Sequence, residues 1–151
     1  MTKTVPAGFA ALLSMVAPLC AQTSAGAAEI PLSGHISADM ASRFHAALAD
    51  GKPHIARVTS SGGEDAHALA IAADIARTGS SLVVDGICAG PCANYLFLAA
   101  ARRMVQPGAL VIFTASASSR LAMVPQARRK EVSSLYKNNA REERQLLQVR
   151  R

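Results

Sequence analysis

Apolar positions along the chain switch repeatedly between short strand-like runs and helical stripes. Ile30, Leu32 and Ile36 alternate with polar or small residues and predict a short strand over residues 30–36. Ser37 fits a helix N-cap, and Met40, Phe44, Ala47 and Leu48 share one helical face until Asp50-Gly51-Lys52-Pro53 stops it. Residues 54–59, with Ile55 and Val58, predict a second strand, and Ser60-Ser61-Gly62-Gly63 a turn. Residues 64–77 form a periodic helix with Leu69, Ala72, Ala73 and Ala76 as its stripe, ended by Gly79. Leu82-Val83-Val84 centres a third strand over residues 81–85; a continuous apolar run suits a parallel strand buried on both faces. Residues 86–90 predict a loop, and Pro91 fits the first turn of a helix that runs to residue 101. Tyr95-Leu96-Phe97-Leu98 makes that helix almost wholly apolar, hence central. Residues 102–105 and 109–113 predict short strands around the Gln106-Pro107-Gly108 turn, residues 115–124 a small, polar loop, and residues 126–148 one long basic helix. This order of elements is that of an α/β protein.

The start of the chain reads differently. Lys3 precedes an apolar run over residues 9–20, too short to span a bilayer, and Ala25-Gly26-Ala27-Ala28 offers small-residue cleavage sites near Ala27 or Ala28. Residues 1–28 therefore predict a signal peptide and export to the periplasm, leaving one domain over residues 29–151 with a basic C-terminal segment over 125–151. Leu19 before Cys20 is too bulky for a lipoprotein signal. Cleavage leaves two cysteines, Cys88 and Cys92, and an even pair in an exported chain favours a disulfide over free thiols. No histidine or further cysteine lies at ligand spacing to them, so no metal is expected.

Half of the residues are hydrophobic and aromatics are only 4%, so the core is aliphatic. Charge is segregated. Residues 29–101 carry four Lys/Arg against seven acids, whereas residues 102–151 carry eleven against three. The basic third suits either a solvated helix face or an anionic partner such as a membrane surface. No nucleic-acid motif and no aromatic stacking platform accompanies it, so nucleic acid is not an expected partner.

The two strand-to-helix turns carry the candidate chemistry. Strand, Ser61-Gly62-Gly63, helix, strand, Gly86-Ile87-Cys88-Ala89-Gly90-Pro91-Cys92-Ala93, apolar helix, Arg103-Met104-Val105-Gln106-Pro107-Gly108-Ala109 and strand follow in order. Over roughly residues 32–113 this series resembles the Clp-protease/crotonase superfamily, and most closely exported proteins with the fold of the Clp protease proteolytic subunit. The resemblance implies a spiral of βα units, self-association, and a serine-hydrolase site. In it, the glycine pair matched by Gly62 and Gly63 offers backbone N–H groups to an oxyanion. The nucleophile's place, at the start of the central helix, reads Gly90, and the histidine's place, just after the following strand, reads Thr114. Glycine cannot attack and threonine cannot accept a proton near neutral pH, and a triad acts as a unit. The third triad position, an acid, has no match.

Substitutes are few. Cys92 sits near a helix N-terminus, where a thiolate is stabilised, but a bond to Cys88 would remove it. Ser60 and Ser61 suit turn roles, and Ser116, Ser118 and Ser119 have no base in sight. His67 and Glu64 make an i, i+3 pair that lacks a third metal ligand, and His35, His45 and His54 are scattered. A crotonase-like cradle built from Gly62, Gly63 and the Gly90-Pro91 helix start would take acyl-coenzyme A, which export disfavours. The expectation is thus an exported, non-catalytic, cofactor-free protein that binds a peptide, acyl group or protein partner in a relict cleft. The alternative is a periplasmic serine- or cysteine-type hydrolase with a different nucleophile.

Overall fold

A computed structural model describes residues 27–132 and 134–149. Residues 1–26 of the segment that the sequence predicts as a signal peptide, with Cys20, lie outside them. Five parallel strands form one sheet: β1 (Glu29–Ser33), β2 (Ile55–Ser60), β3 (Ser81–Ala89), β4 (Arg103–Val105) and β5 (Leu110–Ile112). Each strand is joined to the next by a crossover or turn, so parallel pairing follows from the alternation of strands with helices. The order is β1-β2-β3-β4, with β5 also on β3. Leu32 pairs in register with Val58, and Val58 with Val84. These three are buried, together with Met40, Phe44 and Leu48 of helix α1 (Ala38–Ala47) and its C-cap, and Ile71 and Ile75 of α2 (Asp65–Thr78). Ser37 caps α1 as its sequence promised, accepting the Met40 N–H at 3.4 Å. Gly79 ends α2 in the left-handed region at φ 68°.

β3 is longer than its apolar centre suggests, and this organises the rest of the molecule. Residues 86–89 are strand rather than loop. Leu82, Val83 and Val84 pair with β4, and Ile87, Cys88 and Ala89 pair with β5. Between them the register to β2 shifts, Val58 facing Val84 while Ser60 faces Cys88. The kink falls at Asp85-Gly86. A Cβ on Gly86 would sit 3.0 Å from the Thr59 side chain, so glycine lets the bent strand lie against β2. Glycine and small residues disguise this half of β3 as a loop.

Three further expectations are corrected. The helix after Pro91 is wound as a π-helix over Cys92–Phe97 before it returns to α geometry. Residues 115–124 are not a loop: Ser116 accepts the Ser119 N–H and starts α3 (Ala117–Met123), whose Ala117 is fully buried. The long basic helix is broken. A 3-10 turn (Gln126–Arg128) precedes α4 (Ser134–Val149). Residues 126–132 offer only Ala127 and Val132 as apolar contacts, too few to hold a helix against the sheet. Instead Arg129 folds back, donating to the Val124 and Ala122 carbonyls at the end of α3. None of the described helices is long and apolar enough to cross a membrane.

Candidate functional site

The end of β3, the start of the π-helix and the end of β5 converge on Gly90. Its N–H donates to the Ile112 carbonyl at 2.9 Å and its carbonyl accepts from Asn94 N–H at 2.8 Å. Gly90 has φ 56°, in the left-handed region, where a side chain costs roughly 1–2 kcal/mol. A Cβ built there would meet only the Thr114 hydroxyl, 3.6 Å away. The fold thus brings the two positions singled out in sequence face to face, with room for a side chain on Gly90. Next to it stands Pro91. A helix-start nucleophile ordinarily works with the N–H of the residue that follows it, and proline has none.

Asn94, 7% exposed and one turn along the π-helix, holds Thr114 in place. Its Oδ1 accepts the Thr114 N–H at 3.2 Å, and its Nδ2 donates to the Thr114 carbonyl at 3.1 Å and hydroxyl at 3.4 Å. Sequence reading passed over Asn94 because its partner lies twenty residues away. Its only signal is a lone amide in an apolar helix.

The glycine turn is a packing device as well as a candidate cradle. Gly62, at φ 112°, gives its N–H to the Ser60 hydroxyl oxygen at 3.1 Å, and that hydroxyl donates back to the Gly62 carbonyl. The Gly62 amide is therefore engaged within its own turn. A Cβ on Gly63 would fall 2.3 Å from the Ile36 carbonyl oxygen and 2.6 Å from its nitrogen, because the two segments pair there. Cys88 and Cys92 are disulfide-bonded, with Cα atoms 5.3 Å apart and both residues fully buried. The bond ties the end of β3 to the π-helix on either side of Gly90.

Beside this turn lies a polar cluster that sequence reading did not assemble. Tyr95, 1% exposed, accepts the Ala117 N–H on its hydroxyl at 3.0 Å and lies near Asp65 at the start of α2. Burial pushes the Tyr95 phenol above its usual value. Burial also raises the Asp65 carboxyl, against the opposing pull of Arg120. Arg120 pairs with Asp65 and donates to the Ala115 carbonyl and, at 3.0 Å, to the Tyr136 hydroxyl. Glu143 of α4, 5% exposed, accepts from Ser118 N–H at 2.8 Å and Ser118 Oγ at 2.7 Å, a carboxylate set against the first turn of α3. Together these bonds seat the C-terminal helices on α2 and the π-helix.

The histidines stay apart. His45 meets Asp74 at 2.9 Å, His54 meets Asp50 at 2.9 Å, and His67 meets Glu64 at 3.3 Å. His35 is exposed. Among the described residues no group of three or more His, Cys, Asp or Glu could hold a metal ion. Ser61 is exposed, and Ser116 shares its hydroxyl with Ser118 and Ser119 within α3's cap.

No family model and no curated protein matches the sequence. In structure, the chain is similar to a ClpP1 N165D mutant from Listeria monocytogenes, with a TM-score of 0.58 and 16% identity over 80% of this chain and 68% of that one. At that identity the likeness speaks for architecture and not for chemistry: the chain has a Clp-protease-like α/β fold.

Proposed function

We propose that this is an exported, non-catalytic protein that uses a Clp-protease-like scaffold to hold an extended peptide beside Gly90. One observation carries the reading. The place where the fold would set a nucleophile against a base holds Gly90 and Thr114, while the adjoining strand offers an open apolar edge. Leu110 and Ile112 of β5 and Phe113 after it are 59, 43 and 54% exposed. Among the described residues no strand pairs with the outer edge of β5. An unpaired edge with apolar side chains is a template for a partner strand, which main-chain hydrogen bonds would hold. The leader pattern over residues 1–28 and the Cys88–Cys92 bond support an oxidising, exported setting.

The reading is tested by fluorescence anisotropy with a panel of short, labelled apolar peptides. Binding by the parent, weakened about tenfold or more by Ile112→Asp, is expected, since the charge would have to be desolvated under the bound peptide. Absence of binding across the panel, binding indifferent to Ile112→Asp, or cleavage of the peptides would each overturn it.

A further inference from the structure

The C-terminal helices carry a surface away from the β5 edge. Residues 120–149 contain seven Lys/Arg and three Glu. Arg120 and Glu143 are engaged in the polar cluster, Arg128 pairs with Glu131 at 3.3 Å and Arg129 donates to carbonyls, which leaves Lys130, Lys137, Arg141 and Arg144 against Glu142. Their placement is not diffuse. α3 and α4 run antiparallel, since Ser118 reaches Glu143 while Arg120, further along α3, reaches the earlier Tyr136. On α4, Lys137, Arg141, Arg144 and Gln148 recur at i, i+4, i+7 and i+11, so they fall within one narrow stripe. Arg141 and Arg144 are exposed. The buried face of α4, with Asn139, Ala140 and Glu143, lies to one side of that stripe.

Apolar side chains project from the same unit. Met123 at the end of α3 is 69% exposed and Leu135 at the start of α4 is 62% exposed. Met123, Val124 and Pro125 line a groove of about 500 Å³ with Arg128, its partner Glu131 and Val132. Arg129, folded back onto the ends of the Ala122 and Val124 carbonyls, keeps the adjoining basic turn against α3.

We infer that the α3–α4 unit is a docking surface for an anionic phospholipid bilayer. Exposed cations with Met123 protruding beside Arg128 match a surface that is negative outside and apolar just beneath. An acidic protein would satisfy the cations but leave Met123 in water. Each Lys or Arg near an anionic surface strengthens binding by about 1 kcal/mol, roughly fivefold.

The experiment is co-sedimentation of the full chain with vesicles of phosphatidylcholine alone and of phosphatidylcholine with phosphatidylglycerol, at low and high salt. Preference for the anionic vesicles, weakened by salt, is expected. A variant with Arg128→Gln, Lys130→Gln, Arg141→Gln and Arg144→Gln, its fold checked by circular dichroism, should lose roughly a hundredfold or more in affinity. Met123→Ser should weaken binding at either salt concentration. Equal binding to both vesicle types, binding that survives the fourfold change, or binding to soluble polyaspartate but not to vesicles would overturn the assignment. If the fourfold variant fails to fold, the Met123→Ser and salt comparisons decide the matter alone.

Discussion

Two residues decide how the candidate site is held, and neither does so through reactive chemistry. Gly63 is fixed by the Ile36 backbone, which stands where a Cβ would go. Backbone cannot rotate away as a side chain can, so Gly63→Ala should destabilise the protein by about 3 kcal/mol or more, read from urea unfolding. Asn94 satisfies both backbone groups of Thr114. Asn94→Ala would strand those groups and free the segment after β5, costing about 1–3 kcal/mol and raising amide exchange at Thr114. Gly90 and Thr114 were legible in sequence because strand, glycine turn and apolar helix follow in a fixed order. Asn94 was not, because its partners are backbone groups that only the folded chain brings near.

Among the elements, the strands and the first two helices were readable because their apolar periods are clean. The exceptions have local causes. β3 continues through Gly86, which looks like punctuation but serves a kink. α3 is short, is started by Ser116 and is anchored through the Ala117 N–H to Tyr95, contacts no period reveals. The disulfide closes a loop of only a few residues, so its loss should be modest: Cys88→Ala with Cys92→Ala should cost about 2 kcal/mol in urea. The joint between α2 and α3 should show an unusual pH dependence. Asp65's carboxyl is raised by burial from 3.8, so the folded state holds its proton more tightly than the unfolded state does. The stability this contributes is present below the unfolded value and is lost as pH rises through the folded one. Asp65→Asn should therefore be more damaging at about pH 3 than at pH 7, measured by urea unfolding at each; a penalty that grew with pH would contradict the burial argument.

At the scale of the molecule, a Clp-protease-like sheet carries two chemically unlike surfaces. The apolar edge at β5 lies beside Gly90, and Met104 and Val105 of β4 extend the exposed apolar area, at 54 and 47%. Such area suits contact with other chains, so sedimentation analysis should find a species larger than one chain, and Met104→Lys should shift it toward monomer. The basic α3–α4 unit is seated through the Asp65–Arg120 pair and the Ala117–Tyr95 bond as well as through buried Ala117 and Ala140 and partly buried Leu146. Sequence reading saw its charge but not its seat, since acids and bases far apart in the chain carry no periodic signal. On the proposed reading, the nucleophile and base positions of the scaffold hold Gly90 and Thr114, which lie face to face. Intact-mass measurement after treatment with a fluorophosphonate probe tests it most directly, on the parent and on a Gly90→Ser, Thr114→His variant. An unmodified parent beside an adduct on Ser at position 90 of the variant is the predicted result; a stoichiometric adduct on the parent would contradict it.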